Sequence, residues 1–202
     1  MLAPDDSKNL KICWWNVNRR LVDIVKNISP ISDTPDILFV TETSVPYGAL
    51  PNIKKYTKYA DKNVIKCHYG GVTVYVRNEL ASHVFGIHFK SCFISFQLDF
   101  IPSFVFIGCY IQPENSKYFN PGMFSDLSIL LMDLYERKMI PILGGDLNCR
   151  YGDLNSILPE YNLVYEKNVD LETNKHGRSF GNDMCRHGHL KIRPNMSPTR
   201  CL

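Results

Sequence analysis

Apolar positions along the chain change their period several times, and those changes divide it into elements. Residues 10–15 form an apolar run of strand length, after which Leu21, Ile24, Val25 and Ile28 recur at helical spacing until Pro30 ends the pattern. Residues 36–42 form a continuous apolar run closed by Glu42, the pattern of a strand covered on both faces. The opening of the chain therefore reads as strand, helix, strand.

The middle of the chain has a different texture. Residues 70–77, 92–100 and 104–110 are rich in β-branched and aromatic side chains at close spacing. They predict three strands in a meander, with a turn at Ile101, Pro102 and Ser103. Over residues 123–137, Phe124, Leu127, Leu131 and Leu134 share one stripe while Ser125, Asp126 and Asp133 lie off it, which predicts an amphipathic helix. Residues 140–143 supply the next strand. Beyond Asn148 the periodicity fades, apart from a short helix at 179–186 and a short strand at 190–192. Strands with helices between them predict an α/β fold of packed sheets covered by helices.

Composition narrows the picture only a little. A chain of 202 residues, 45% of them hydrophobic, can fill one sizeable core, so residues 10–202 read as one domain behind a flexible arm at 1–9. A net charge of +3 permits nucleic-acid binding without arguing for it. Asp5, Asp6 and Lys8 interrupt the place where a secretory signal would have its apolar core, and no apolar run approaches the roughly 20 residues of a membrane span. No membrane partner and no obligate protein partner is expected. The seven cysteines include no C-x-x-C pair, and several lie inside apolar runs, so they read as reduced thiols used as small core residues in an intracellular protein.

Candidate chemistry appears where apolar strands end. Glu42 closes residues 37–40, Tyr110 closes 104–107, Asp146 follows 142–143, and the first strand runs into Asn16 and Asn18. A rigid sheet can hold groups at its strand ends accurately, so four such endings are candidates for one cluster. Gly144-Gly145-Asp146-Leu147-Asn148 is the most specific of them. Its glycines let the chain turn out of the strand and let Asp146 and Asn148 face one space, although alone it reads equally well as a tight turn with local hydrogen bonds.

Taken in order, Trp15-Asn16-Val17-Asn18, Thr41-Glu42-Thr43, Gly70-Gly71-Val72-Thr73-Val74, Tyr110-Ile111-Gln112-Pro113 and Gly145-Asp146-Leu147-Asn148 resemble the motifs of the endonuclease/exonuclease/phosphatase superfamily. Asn148-Cys149-Arg150-Tyr151-Gly152, then Asn174, Gly177, Arg178 and residues 185–190, are similar to the endonuclease domains of LINE-type, non-LTR retrotransposons. The resemblance implies a four-layer α/β sandwich, two mixed β-sheets flanked by helices, and a metal-dependent DNA endonuclease that nicks its target in the nucleus.

By the same resemblance Glu42 is the main carboxylate ligand of Mg²⁺ or Mn²⁺, with Asn16 and Asn18 lining that pocket. Asp146 would orient or deprotonate the attacking water, Asn148 would bond the phosphate, and Tyr110 would place its hydroxyl beside it. Arg19, Arg20 and Arg150 are the expected contacts to the DNA backbone. Asn18 stands where many superfamily members carry an aspartate, which leaves one carboxylate fewer for the metal. The superfamily's terminal Ser-Asp-His motif, and the aspartate that precedes it, have no counterpart before Leu202. The resemblance therefore implies a partial domain lacking the C-terminal strands, with impaired cleavage or only a binding role. A superfamily phosphatase acting on a small substrate is the other alternative. His187 and His189, with no ligand cluster beside them, are only a weak candidate for a metal pair and read as surface or packing residues.

Overall fold

In a computed structural model of the protein, residues 9–18, 34–43, 45–61, 71–90 and 92–148 are described. Their alternating and continuous apolar runs build two four-stranded sheets. The first has the order β1 (Ile12–Asn16), β2 (Ile37–Thr41), β4 (Val72–Arg77), β3 (Tyr56–Tyr59), with β1 parallel to β2 and the other pairings antiparallel. The second has the order β5 (Val84–Phe89), β6 (Phe93–Leu98), β7 (Phe104–Tyr110), β8 (Ile140–Asp146), antiparallel except for the parallel pair β7 and β8. A one-turn helix, α1 (Asn78–Ala81), follows β4, and α2 (Gly122–Glu136) links β7 to β8.

The period of two decides which side chains meet. From β2 and β4, Ile37, Phe39, Val74 and Val76 face the second sheet, where Ile94, Phe96, Leu98 and Phe106 meet them in the central core. The opposite parity of β6 and β7, with Phe93, Val105, Ile107 and Cys109, packs under Phe124, Leu127, Leu131 and Leu134 of α2. On the far side of the first sheet, Leu38, Val40 and Tyr75 pack with Ile53. Lys58 Nζ and the Tyr75 hydroxyl donate to the carbonyls of Leu50 and Pro51 and hold that outer segment down. β2 is buried along its whole length because both of its faces are covered.

Most element expectations agree with the structure within a residue or two, and α2 carries the expected stripe. Its C-terminus has no glycine: Lys138 adopts φ 56°, with Lys138 N–H donating to Tyr135 and Met139 N–H to Leu134. That is a Schellman ending with an unusual residue at its left-handed position. The expected meander is corrected, because residues 70–77 do not join 92–100 and 104–110 in one sheet. β4 pairs with β2 in the first sheet, while β6 and β7 pair with β5. β3 and β5 went unrecognised, the first being short and half-buried and the second bulged near Gly86. The helix expected over 21–28, the helix at 179–186, the strand at 190–192 and residues 1–8 of the arm lie outside the described residues.

The described cysteines Cys13, Cys92 and Cys109 are free thiols, the last two buried. No helix among the described residues is long and apolar enough to cross a membrane.

Sheet spacing should be sensitive to one methyl group. A Cβ at Gly108 would lie 2.1 Å from the Phe39 ring. Gly108→Ala should therefore lower unfolding free energy by about 1–3 kcal/mol in urea titrations, the usual cost of overpacking. Ile129→Ser, at a position of α2 that is 65% exposed, should change it by less than about 0.5 kcal/mol.

Candidate active site

The site is built where β1, β2, β7 and β8 all finish. Trp14 and Phe39 are register partners on adjacent strands and stack at 5.7 Å with their planes 6° apart. Across the core, Gly108 and Gly144 are register partners in the second sheet. A Cβ at Gly144 would lie 2.4 Å from the Trp14 indole, so each ring sits where a side chain is missing. Trp14 Nε1 also donates to the Ile107 carbonyl at 3.2 Å, which ties the sheets together.

Two residues further along each strand, the same parity places four polar or amphipathic side chains on the inner faces. Asn16 and Thr41 are partners in one sheet, and Tyr110 and Asp146 are partners in the other. The gap between the sheets is closed by Asn16 Nδ2, which donates to Asp146 Oδ2 at 2.7 Å between residues 130 apart in sequence.

The two strand ends are built alike. Asn16 Oδ1 accepts the backbone N–H of Asn18 at 2.8 Å, and Asp146 Oδ1 accepts that of Asn148 at 2.9 Å. Each is a side chain bonded to the backbone two residues on, the bond that lets Asn and Asp stabilise a turn. Asn18 and Asn148 both have left-handed backbones, at φ 43° and 49°. Asn148 Nδ2 donates to the Ile111 carbonyl at 2.7 Å, which fixes its amide against the end of β7.

Glu42 joins the cluster through the main chain. The carbonyl of Thr41 accepts Val17 N–H at 3.1 Å, extending the pairing of β1 and β2 one step, and Glu42 then leaves the strand at φ 57°. A left-handed conformation costs a non-glycine residue about 1–2 kcal/mol, and a glutamate gains no local hydrogen bond to offset it as asparagine does. Of five described non-glycine residues with positive φ, three are Asn18, Glu42 and Asn148. Strain of this kind concentrates where surrounding structure must hold a group in one place.

Asn16, Tyr110, Asp146 and Asn148 thus lie together, Asn18 is bonded to them, and Glu42 adjoins them along β2. Arg19, Arg20 and Arg150 lie outside the described residues. The role expected for Gly144 and Gly145 is corrected: they do not turn the chain out of the strand, since β8 continues through Asp146. They are needed for close approach. A Cβ at Gly145, where φ is 133°, would lie 1.9 Å from the Cys109 carbonyl oxygen. Trp14 and Thr41 also belong to this end of the sheets: Thr41 was legible only as part of Thr41-Glu42-Thr43 and Trp14 only as the residue before Trp15-Asn16-Val17-Asn18, and their inward parity comes from the strand register.

Among the described residues no group of three or more His, Cys, Asp or Glu could hold a metal ion. The donors that are present are carboxylate and amide oxygens. They fit a hard cation of the Mg²⁺ kind, which takes one or two carboxylates and keeps several waters.

The bond between Asn16 and Asp146 should be measurable as a coupling. A double-mutant cycle with Asn16→Ala and Asp146→Ala in urea titrations should give about 1 kcal/mol or more of interaction energy. Simple additivity would mean that the two sheets are not joined there.

Comparison with known proteins agrees with this architecture. The sequence matches the Endonuclease/Exonuclease/phosphatase family over residues 13–190. Among solved structures it is similar to the 3′ phosphatase NExo from Neisseria bound to product DNA hairpin. That match has 18% identity and a TM-score of 0.54, covering 76% of this chain and 63% of that one. It is also similar to AP endonuclease LMAP from Leishmania major, with 18% identity, a TM-score of 0.58, and coverage of 90% and 68%. An AP endonuclease from Archaeoglobus fulgidus has 16% identity, a TM-score of 0.52, and coverage of 89% and 71%. At such identities the likeness establishes the fold alone. The chain spans less than two thirds of the length of the Neisseria phosphatase. No curated protein matches the sequence.

Proposed function

The chain belongs to the endonuclease/exonuclease/phosphatase family, and from that membership and the polar cluster at the strand ends we propose that it is a divalent-metal-dependent phosphodiester hydrolase. Its substrate on this reading is DNA, which it nicks in the manner of the endonuclease domains of LINE-type retrotransposons. The single observation that carries the reading is the 2.7 Å bond from Asn16 to Asp146. It brings two residues of the family-like motifs to one point from opposite ends of the described sequence.

Asp146 accepts hydrogen bonds from Asn16 and from the Asn148 backbone, one on each carboxylate oxygen. Its plane is therefore set. An ionised carboxylate has about four lone-pair positions, which leaves it able to orient an attacking water and take its proton. Asn148, whose amide is held by the Ile111 carbonyl, keeps a second amide hydrogen for a phosphate oxygen, and Tyr110 would offer its phenol beside it. Glu42, with Asn18 in the same pocket, would hold Mg²⁺ or Mn²⁺, which supplies charge neutralisation at the phosphate and leaving oxygens when bound.

DNA is favoured over a small phosphorylated substrate by two facts. The Neisseria phosphatase to which this chain is similar is described with a DNA product, and two further similar structures are AP endonucleases. Arg19 and Arg20 directly follow Asn18, and Arg150 follows Asn148 by two positions. These are the sequence positions from which guanidinium groups would meet a phosphate backbone. The retrotransposon reading draws on the Asn148-Cys149-Arg150-Tyr151-Gly152 stretch and on Asn174, Gly177 and Arg178.

The experiment is plasmid nicking with the purified chain in Mg²⁺. Asp146→Ala should slow conversion of supercoiled to open-circular DNA by about 10²–10⁴-fold, the range of an acid–base contribution. DNA binding by that variant should persist and should weaken with salt. Salt-dependent binding without any Mg²⁺-dependent nicking would replace the hydrolase reading with that of a nucleic-acid-binding module. Phosphate release from small substrates without nicking would move the protein to a phosphatase branch.

A further inference from the structure

Thr41 is a polar side chain in an otherwise apolar strand, and the described residues give its hydroxyl nothing to bond. The residue is 1% exposed, and Oγ1 has no hydrogen-bond partner among the described residues. Buried hydroxyls nearly always find a partner, because leaving one without it forfeits the hydrogen bonds it made in water. Valine has almost the same shape and would fill the position without that penalty.

The surroundings of the hydroxyl are those of the site. In the first sheet Thr41 lies between its register partners Asn16 and Val72, on the face that looks toward β7 and β8. One step earlier on that face Phe39 covers Gly108, so the polar tier containing Tyr110 and Asp146 is the one Thr41 faces. Its own peptide is held by Val17, and its chain neighbour is Glu42 in the left-handed conformation. A group without a partner, next to the proposed cation ligand, has the character of an acceptor whose donor arrives with that cation.

We propose that Thr41 is a positioning residue for the divalent cation, its hydroxyl oxygen accepting a hydrogen bond from a water of the cation's shell. This rests on the reading of Glu42 as the cation's carboxylate ligand. Mg²⁺ and Mn²⁺ keep several waters when a protein supplies few carboxylates, and a water polarised by a dication is a strong donor. With Asn18 in place of a second carboxylate, an added hold on the hydrated ion matters more. Thr41 touches the shell and not the reacting phosphate, so its contribution is to affinity and orientation.

The test measures Mn²⁺ binding to the full chain by the loss of the free-ion electron paramagnetic resonance signal, alongside melting in EDTA. Thr41→Val should weaken Mn²⁺ binding by about three- to tenfold, the worth of one hydrogen bond. In EDTA it should melt at the same temperature as the parent protein or higher, since an unpartnered hydroxyl has been removed. Thr41→Ser, which keeps the hydroxyl, should bind Mn²⁺ within about twofold of the parent affinity, well inside the range expected for a lost hydrogen bond. Unchanged Mn²⁺ affinity in Thr41→Val, with affinity lost in Glu42→Gln, would overturn the role of Thr41 and leave the Glu42 reading standing. Unchanged affinity in Glu42→Gln would overturn both. A lower melting temperature of Thr41→Val in EDTA, restored by serine, would assign the hydroxyl a structural bond and overturn the proposal.

Discussion

The distance between the two sheets is set by two aromatic rings seated on two glycines, and the site depends on that distance. Trp14 and Phe39 stack on one another and occupy the space above Gly144 and Gly108. Large residues facing small ones let two sheets approach more closely than paired large residues would, and the filled space leaves no room for adjustment. One tier beyond, Asn16 and Asp146 meet at 2.7 Å. A hydrogen bond of that length tolerates only a few tenths of an ångström of misplacement before it weakens. The apolar contact thus acts as a gauge for the polar one.

The polar tier in turn uses the strand ends in a consistent way. At β1 and at β8 the last inward side chain turns back to hold the backbone of the residue two positions on, and that residue takes a left-handed conformation. Asparagine accepts this geometry with little penalty, which accounts for Asn18 and Asn148. Glu42 has no such compensation, and its conformation is imposed by the pairing of Thr41 with Val17 on one side and by buried Thr43 on the other. Strain at the glutamate and an unpartnered hydroxyl at Thr41 both lie within one residue of each other. Features that reduce stability gather at this end of the molecule, while the central core of Phe39, Phe96 and Phe106 supplies the burial that sustains them.

Much of this was legible in the sequence, for reasons specific to each element. β2, β7 and α2 announced themselves because burial on both faces, aromatic and β-branched runs, and a single apolar stripe are strong local signals. The candidate residues were legible because chemistry-bearing side chains end apolar strands, and because their order resembles a known family. Pairing was not legible. Residues 72–77 and 93–98 carry the same β-rich texture, yet they belong to different sheets, since texture records strand propensity and not partner. β5 was hidden by its exposed residues and its bulge, and β3 by being only half-buried.

The glycines at 144 and 145 mark the boundary between what the sequence by itself determined and what only the tertiary structure decided. The sequence determined that the backbone there could do what other residues cannot, and that Asp146 and Asn148 follow at a spacing of two. It left open whether that freedom served a turn or a close approach. The structure decided for close approach, with the Cys109 carbonyl against Gly145 and the Trp14 indole against Gly144. The physical reason is that a glycine's allowed conformations are a property of the residue, whereas the atoms that fill the place of its missing side chain come from other strands, β1 at Gly144 and β7 at Gly145. The same holds for Thr41: its hydroxyl is written in the sequence, but its want of a partner among the described residues exists only once the sheets have closed around it.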